Sequence, residues 1–193
     1  DREVTLRALN KGLLRGSPFL LFACVALAGP LDAGTKSVKL HAQDGTSVDI
    51  GQVTFAPRAD GRVAFAWKAD TSRFTDHFLS MREFKCLPGS GEIMCLVPYP
   101  YAQPGHIAAN DLGWLEHSLL FMFKKQSELG AQLWNGVIWK LTPSGNGLTG
   151  TPQAVDLNRI ASPPAKTDVQ PFSPAQRDDI PLTARWFNRI TIE

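Results

Sequence analysis

Residues 84–101 constrain the fold of this chain more than any other stretch, because they combine two cysteines with a tight turn. The sequence there is FKCLPGSGEIMCLVPYPY, and the Ser-Gly pair at 90–91 is typical of a two-residue hairpin turn. Folding about that turn sets Cys86 opposite Cys95. Directly opposed residues of an antiparallel pair lie about 4.5–5.5 Å apart, which suits the Cα spacing of a disulfide, about 4.4–6.8 Å. The stretch therefore predicts a hairpin closed by a disulfide.

The N-terminus has the order of a secretory signal peptide over residues 10–33. Lys11 and Arg15 form a short positive region, residues 17–29 form an uncharged apolar run, and small residues suitable for cleavage follow. The run is shorter than the about 20 residues that a helix needs to span a bilayer. A buried helix is the alternative interpretation. We therefore expect residues 1–33 to be a signal peptide with its upstream residues, and the protein to be exported, periplasmic or secreted, with no membrane span after cleavage.

The cysteine count agrees with export. The chain has three cysteines, and Cys24 lies inside the apolar run, so cleavage would leave Cys86 and Cys95. An even number of cysteines in an exported protein favours a disulfide. Two buried free thiols are the alternative. We predict no metal site for this pair, since no further ligands follow at a recognisable spacing.

The residues after the signal peptide indicate a second hairpin. A three-residue turn that ends at Gly45 sets Leu40 opposite Val48 and Val38 opposite Ile50. Apolar residues then face apolar residues across the pair, as expected of strands with one buried face.

A third hairpin follows at once. A turn over residues 59–61 sets Phe55 opposite Phe65 and Val53 opposite Trp67. Two independent turns that align apolar residues in this way indicate an antiparallel meander with one face exposed to water.

Composition and pattern together predict one mainly β domain. The chain has 193 residues, of which 44% are hydrophobic, enough for one core. About eight or nine strands, one or two short helices and no strand–helix–strand alternation favour an antiparallel meander that closes into a small barrel or a curved two-layer sheet. We divide the rest of the chain into an antiparallel β domain at 34–160, a proline-rich arm or linker at 161–182 and a C-terminal strand at 183–193 that docks on the domain.

No catalytic, metal or cofactor signature stands out. The four histidines lack metal-binding spacing, and the glycine-rich strings lack the strand-to-helix context of a nucleophile or dinucleotide motif. With a net charge of +2 and scattered basic residues, a nucleic-acid footprint is not supported. We predict no catalytic residues, no metal ligands and no cofactor. An enzyme with an unrecognised site stays open, and a cluster of His106, Asp111 and His117 would favour it.

Aromatic residues are the best candidates for binding. Trp67, Trp139 and Phe65 should point into the sheet, and a closed sheet of about eight strands either fills its interior or holds one small ligand. Tyr99 and Tyr101 lie in a proline-rich loop beside the cysteine hairpin, where they either form a binding surface or cover the end of the core.

Two functions follow as hypotheses. The first is an exported, small β-barrel-like binding protein for a small apolar or amphipathic ligand. The second is an envelope interaction or assembly protein without a ligand pocket, which contacts partners through the proline-rich loop 98–104 or the arm 161–182.

Overall fold

The structure, a computed structural model, describes residues 29–79 and 82–193. Apart from residues 29–33, the predicted signal peptide lies outside the described residues. Within them the chain forms one 12-stranded antiparallel sheet, a six-residue α-helix and two shorter 3-10 helices. The mainly β, antiparallel class is confirmed.

The elements have the following bounds. The strands are β1 Gly34–Ala42, β2 Ser47–Pro57, β3 Val63–Ala69, β4 Thr75–Leu79, β5 Arg82–Pro88, β6 Ile93–Leu96, β7 His106–Ile107, β8 Phe121–Lys124, β9 Gly136–Ser144, β10 Gly147–Val155, β11 Asp178–Asp179 and β12 Phe187–Ile192. The α-helix, α1, spans Gly113–Ser118, and the 3-10 helices span Leu157–Ile160 and Pro174–Gln176.

The predicted barrel is wrong, because the sheet does not close. Its strand order is β4-β5-β6-β8-β9-β10-β12-β1-β2-β3-β7, with β11 paired to β10, and the end strands β4 and β7 do not pair with each other. Strand β7 has only two residues, so it offers little backbone for closure. Helix α1 contacts β3 and β7 at one end of this order and β9 near its middle. Helix side chains, rather than a closing strand pair, therefore join these parts of the sheet.

The predicted registers of the turns are confirmed with one exception. Cys86 faces Cys95, and Phe55 faces Phe65. The predicted pairing of Val38 with Ile50 is wrong, since a bulge between Val38 and Lys39 sets Val38 opposite Gly51.

Glycine explains the position of this bulge. Gly51 has a φ of 146°, and a Cβ added to it would lie 2.2 Å from the backbone oxygen of Lys68 on β3. Strand β2 therefore approaches β3 so closely that a side chain is excluded there.

The core has two clusters, one on each side of the cysteine hairpin. Leu87 and Met94 belong to the first cluster, which also holds residues from β1, β2, β9, β12 and α1. The Cys86–Cys95 disulfide belongs to the second, with Phe172 of the predicted arm. Both faces of the hairpin are thus covered by apolar side chains. This fits its sequence, in which large apolar residues occupy consecutive positions and therefore point to both faces.

Candidate functional site

Residues 161–182, here called the arm, pack against the sheet rather than extending from it. The side chain of Phe172 is fully buried in the second core cluster. Residues 178–179 of the arm form β11 and pair with β10. The backbone nitrogen of Ile180 donates to the carbonyl of Pro152 over 3.2 Å. The second half of the arm is thus fixed to the sheet.

His117 of helix α1 holds the arm at Phe172. The backbone N–H of Phe172 donates to Nε2 of His117 over 3.1 Å, so this nitrogen is unprotonated. Nδ1 then carries the proton and donates to the carbonyl of Gly113 over 2.6 Å. The rings of His117 and Phe172 stack with centroids 5.5 Å apart and planes 15° from parallel. Helix and arm are therefore joined by a hydrogen bond and an aromatic contact.

The electrostatics of His117 favour this neutral form. Burial lowers the pKa of His117 from its ordinary value of 6.5 to about 4. The hydrogen bond to Gly113 opposes that shift, and the charge of Arg177 adds to it. At neutral pH the ring is uncharged and can accept the hydrogen bond from the arm.

A buried ion pair makes a second contact between helix and arm. Nη1 of Arg177 lies 2.5 Å from Oε2 of Glu116, and the side chains of both residues are almost fully buried. The other carboxylate oxygen of Glu116 accepts the backbone N–H of Leu141 over 2.8 Å. Nε of Arg177 donates to the carbonyl of Phe172 over 2.9 Å. Both charges have several partners, as buried ions require.

The arm supplies most of the lining of an open pocket of about 670 Å³, here called the arm pocket. Ligand pockets commonly have volumes of about 300–1,000 Å³. Its apolar lining comes from Tyr99, Ile160, Pro164, Ala165, Val169 and Pro171. Its charged lining residues are Arg159 and Lys166, and no carboxylate lines it. The pocket thus combines an apolar surface with two cations.

The two predicted tyrosines have different positions here. Tyr99 lines the pocket, and its ring lies 5.6 Å from that of Tyr101 and 5.9 Å from that of Trp114, centroid to centroid. Burial raises the pKa of Tyr99, whose hydroxyl has no hydrogen-bond partner among the described residues. The Tyr101 hydroxyl donates to the carbonyl of Ile160 over 2.9 Å, which joins the loop 98–104 to the pocket lining.

The tryptophans and Phe65 do not meet in one interior cavity. Phe65 and Trp67 line a small depression of about 200 Å³, whose lining also includes Tyr99. Trp139 is fully buried, and its ring contacts that of Phe121 edge-on at 6.2 Å. Trp139 is not among the residues that line the depression at Trp67. Trp139 belongs to the first core cluster.

Sequence reasoning missed the charged residues of the pocket. Arg159 lies at the end of the predicted β domain, and Lys166 lies in a stretch whose prolines indicated only an irregular arm. The available signal was Phe172, a single aromatic residue in an otherwise polar, proline-rich segment. Such a residue is a reasonable candidate for docking on a core.

The residues of the cluster that would favour an enzyme, His106, Asp111 and His117, each hydrogen-bond to other residues. Nε2 of His106 lies 3.2 Å from Nη1 of Arg62, and its Nδ1 lies 3.1 Å from the carbonyl of Pro104. In the described part of the chain no group of His, Cys, Asp and Glu residues is arranged to hold a metal ion. None of the helices in residues 29–79 and 82–193 has the length and apolar character to cross a membrane.

Comparison of the chain with family models, with curated proteins and with solved structures found no match. Function is therefore inferred from the chain's own residues, and the arm pocket combines an apolar surface with two cations that are unpaired among the described residues.

Proposed function

We propose that this chain is an exported binding protein for a small apolar or amphipathic molecule, and that the molecule binds in the arm pocket. The observation that carries the proposal is the cavity of about 670 Å³ with its mainly apolar lining. Binding sites for small molecules are commonly concave, apolar and provided with a few polar groups for orientation. The site differs from the one expected in a barrel interior, because the sheet does not close and Trp139 is fully buried in the first core cluster.

The attachment of the arm supports binding energetically. Ordering a loop on association costs free energy, which weakens binding. Phe172 is buried and the pair Arg177–Glu116 is formed, both through contacts within the chain itself. The part of the pocket wall next to these residues, at Pro171, Ser173 and Gln176, is therefore held in place by the chain's own contacts.

Export is the second part of the proposal. Disulfides persist in oxidising compartments, and the bridge between Cys86 and Cys95 is formed in the second core cluster. The signal-like pattern at residues 10–33 supports the same location. A periplasmic or secreted protein that binds a small molecule fits both observations.

The binding test uses N-phenyl-1-naphthylamine, a neutral aromatic probe whose fluorescence rises in apolar surroundings. The parent protein should bind it saturably at one site. Ala165→Trp places a large side chain in the pocket lining and should weaken binding roughly tenfold or more, since tenfold corresponds to only about 1.4 kcal/mol of lost contact. Ala175→Trp is the matched control, because Ala175 is exposed on the same arm and does not line the pocket.

Two outcomes would contradict the pocket as the binding site. One is the absence of saturable probe binding by the folded parent protein. The other is equal weakening by Ala165→Trp and Ala175→Trp, with near-ultraviolet circular dichroism unchanged in both. Native mass spectrometry of protein purified from an exporting host would add direct information, since a retained ligand appears as a discrete added mass.

An envelope interaction or assembly protein is the second candidate, and one observation favours it. Val169 and Leu182 of the arm are apolar and 55% and 51% exposed, respectively. A protein partner could cover these side chains. This alternative predicts that Val169→Asp and Leu182→Asp abolish a specific cross-link to one envelope protein, while the parent protein binds no apolar probe.

A further inference from the structure

The charge of the arm pocket has one sign. Arg159 and Lys166 line it, and its other lining residues are uncharged. Within the described residues, neither side chain makes an ion pair or a hydrogen bond. Arg177 and Arg185, by contrast, are paired with Glu116 and Glu92. The two cations of the pocket are therefore available to a ligand.

We infer that the arm pocket selects anionic amphiphiles, molecules with an apolar body and a carboxylate, phosphate or sulfonate head. This inference rests on the proposed function, since it names the class of ligand for the same pocket. The head meets Arg159 and Lys166, and the apolar body lies against Ile160 and Val169.

The chemistry of the two cations fits such a head. A guanidinium presents several N–H donors in a planar fork that matches the oxygens of a carboxylate or phosphate, and an ammonium group adds a second charge. A cationic head would meet two like charges without a carboxylate to offset them. A neutral body alone would use only the apolar part of the lining. Anionic, cationic and neutral ligands of similar size should therefore bind with different affinities, because their charges differ.

The exposure of the cations limits the size of the effect. Arg159 and Lys166 are both exposed to solvent. Exposed ion pairs change an equilibrium constant by about 1.4- to 5-fold each, so two of them should change affinity by about 2- to 30-fold. Water and salt screen the interaction, and affinity for an anionic ligand should fall as ionic strength rises.

A matched pair of probes isolates this effect. The probes 8-anilinonaphthalene-1-sulfonate and N-phenyl-1-naphthylamine share one ring skeleton and differ in the sulfonate. The double variant Arg159→Gln with Lys166→Gln should weaken binding of the sulfonate probe by about 2- to 30-fold and leave the neutral probe within about twofold. Arg58→Gln with Lys68→Gln is the control, since it removes two exposed charges outside the pocket lining and should change neither probe.

Ionic strength supplies a second measurement that needs no variant. Added salt should weaken binding of the sulfonate probe to the parent protein and should have no such effect in the double variant. The inference about charge is overturned if the double variant weakens both probes equally. It is also overturned if the double variant weakens neither probe while Ala165→Trp weakens both. In either case the pocket remains the binding site. If Ala165→Trp weakens neither probe, the proposed function fails as well.

Discussion

Acid should destabilise this protein through His117, the neutral residue that joins helix α1 to the arm. The ring accepts the backbone N–H of Phe172 at Nε2, so a proton on that nitrogen would replace an acceptor with a donor. The charged groups that act on it are Arg177 of the arm and Asp111 before the helix. Protonation in the folded state thus costs both a hydrogen bond and the desolvation of a charge.

The direction and size of the effect follow from the two protonation equilibria. The pKa of His117 is about 4 in the folded protein, below the ordinary value of 6.5 expected in the unfolded chain. Between these values the unfolded state binds the proton and the folded state does not, so the free energy of unfolding rises with pH. The contribution is fully present above about pH 6.5 and is lost as the pH falls to about 4, a total of about 3 kcal/mol.

Urea unfolding followed by tryptophan fluorescence, at steps from about pH 7 to about pH 4.5, measures this contribution. His117→Gln keeps a hydrogen-bond acceptor near Phe172 and removes the titrating ring. Its stability should depend less on pH than that of the parent, by up to about 1.4 kcal/mol per pH unit inside the window. Carboxylates that titrate in the same range affect both proteins and cancel in the comparison. Identical slopes for parent and variant would refute the reasoning.

Three further changes test the framework around the site. Replacing Cys86 or Cys95 by Ser should lower the free energy of unfolding by about 2–3 kcal/mol, and alkylation of both parent thiols without reductant would contradict the bridge. Gly51→Ala should destabilise more than Gly45→Ala, because a Cβ at position 51 meets the Lys68 oxygen at 2.2 Å and one at position 45 has no neighbour within 4 Å; equal losses in urea unfolding would argue against the bulge. Trp139→Ala should cost about 3–5 kcal/mol in the same assay, and a small loss would mean that the interior is not filled.

The sequence pattern around each turn predicted the hairpins, because the residues that pair in a hairpin lie close together in the chain. For Phe55 and Phe65, or for Cys86 and Cys95, one turn residue and the alternation of apolar residues decide the pairing. The predicted pairing of Val38 was wrong for a different reason. The bulge there depends on the close approach of β2 to a third strand, which the sequence of the pair itself does not contain.

Closure of the sheet and the site itself depend on contacts between distant parts of the chain. The ion pair between Glu116 and Arg177 joins residues 61 positions apart, and the hydrogen bond between His117 and Phe172 joins residues 55 apart. No spacing rule relates such positions. Tyr99, which lines the arm pocket, was a candidate from the sequence because an aromatic residue in a proline-rich loop is a general binding signal. Arg159 was not, since an isolated cation on a surface carries no such signal.

The role of the arm can be tested at Phe172, its one fully buried aromatic residue. Removing a buried phenyl group typically costs about 3–5 kcal/mol when the whole protein loses the contact. The arm, however, is held to the sheet by few elements, so Phe172→Ala should release it locally at less than the cost of global unfolding. The expected signs are faster proteolysis within residues 161–171, loss of probe binding and a small change in the urea midpoint.

Val169→Ala is the matched control, because that side chain is more than half exposed and lies on the same arm. It should leave proteolysis unchanged and weaken the neutral probe only slightly, through lost apolar contact. A large fall in the urea midpoint for Phe172→Ala, without faster cleavage of the arm, would show that the arm unfolds only together with the sheet. The pocket would then be a part of the cooperative core, and its ligand would have to enter without movement of the arm.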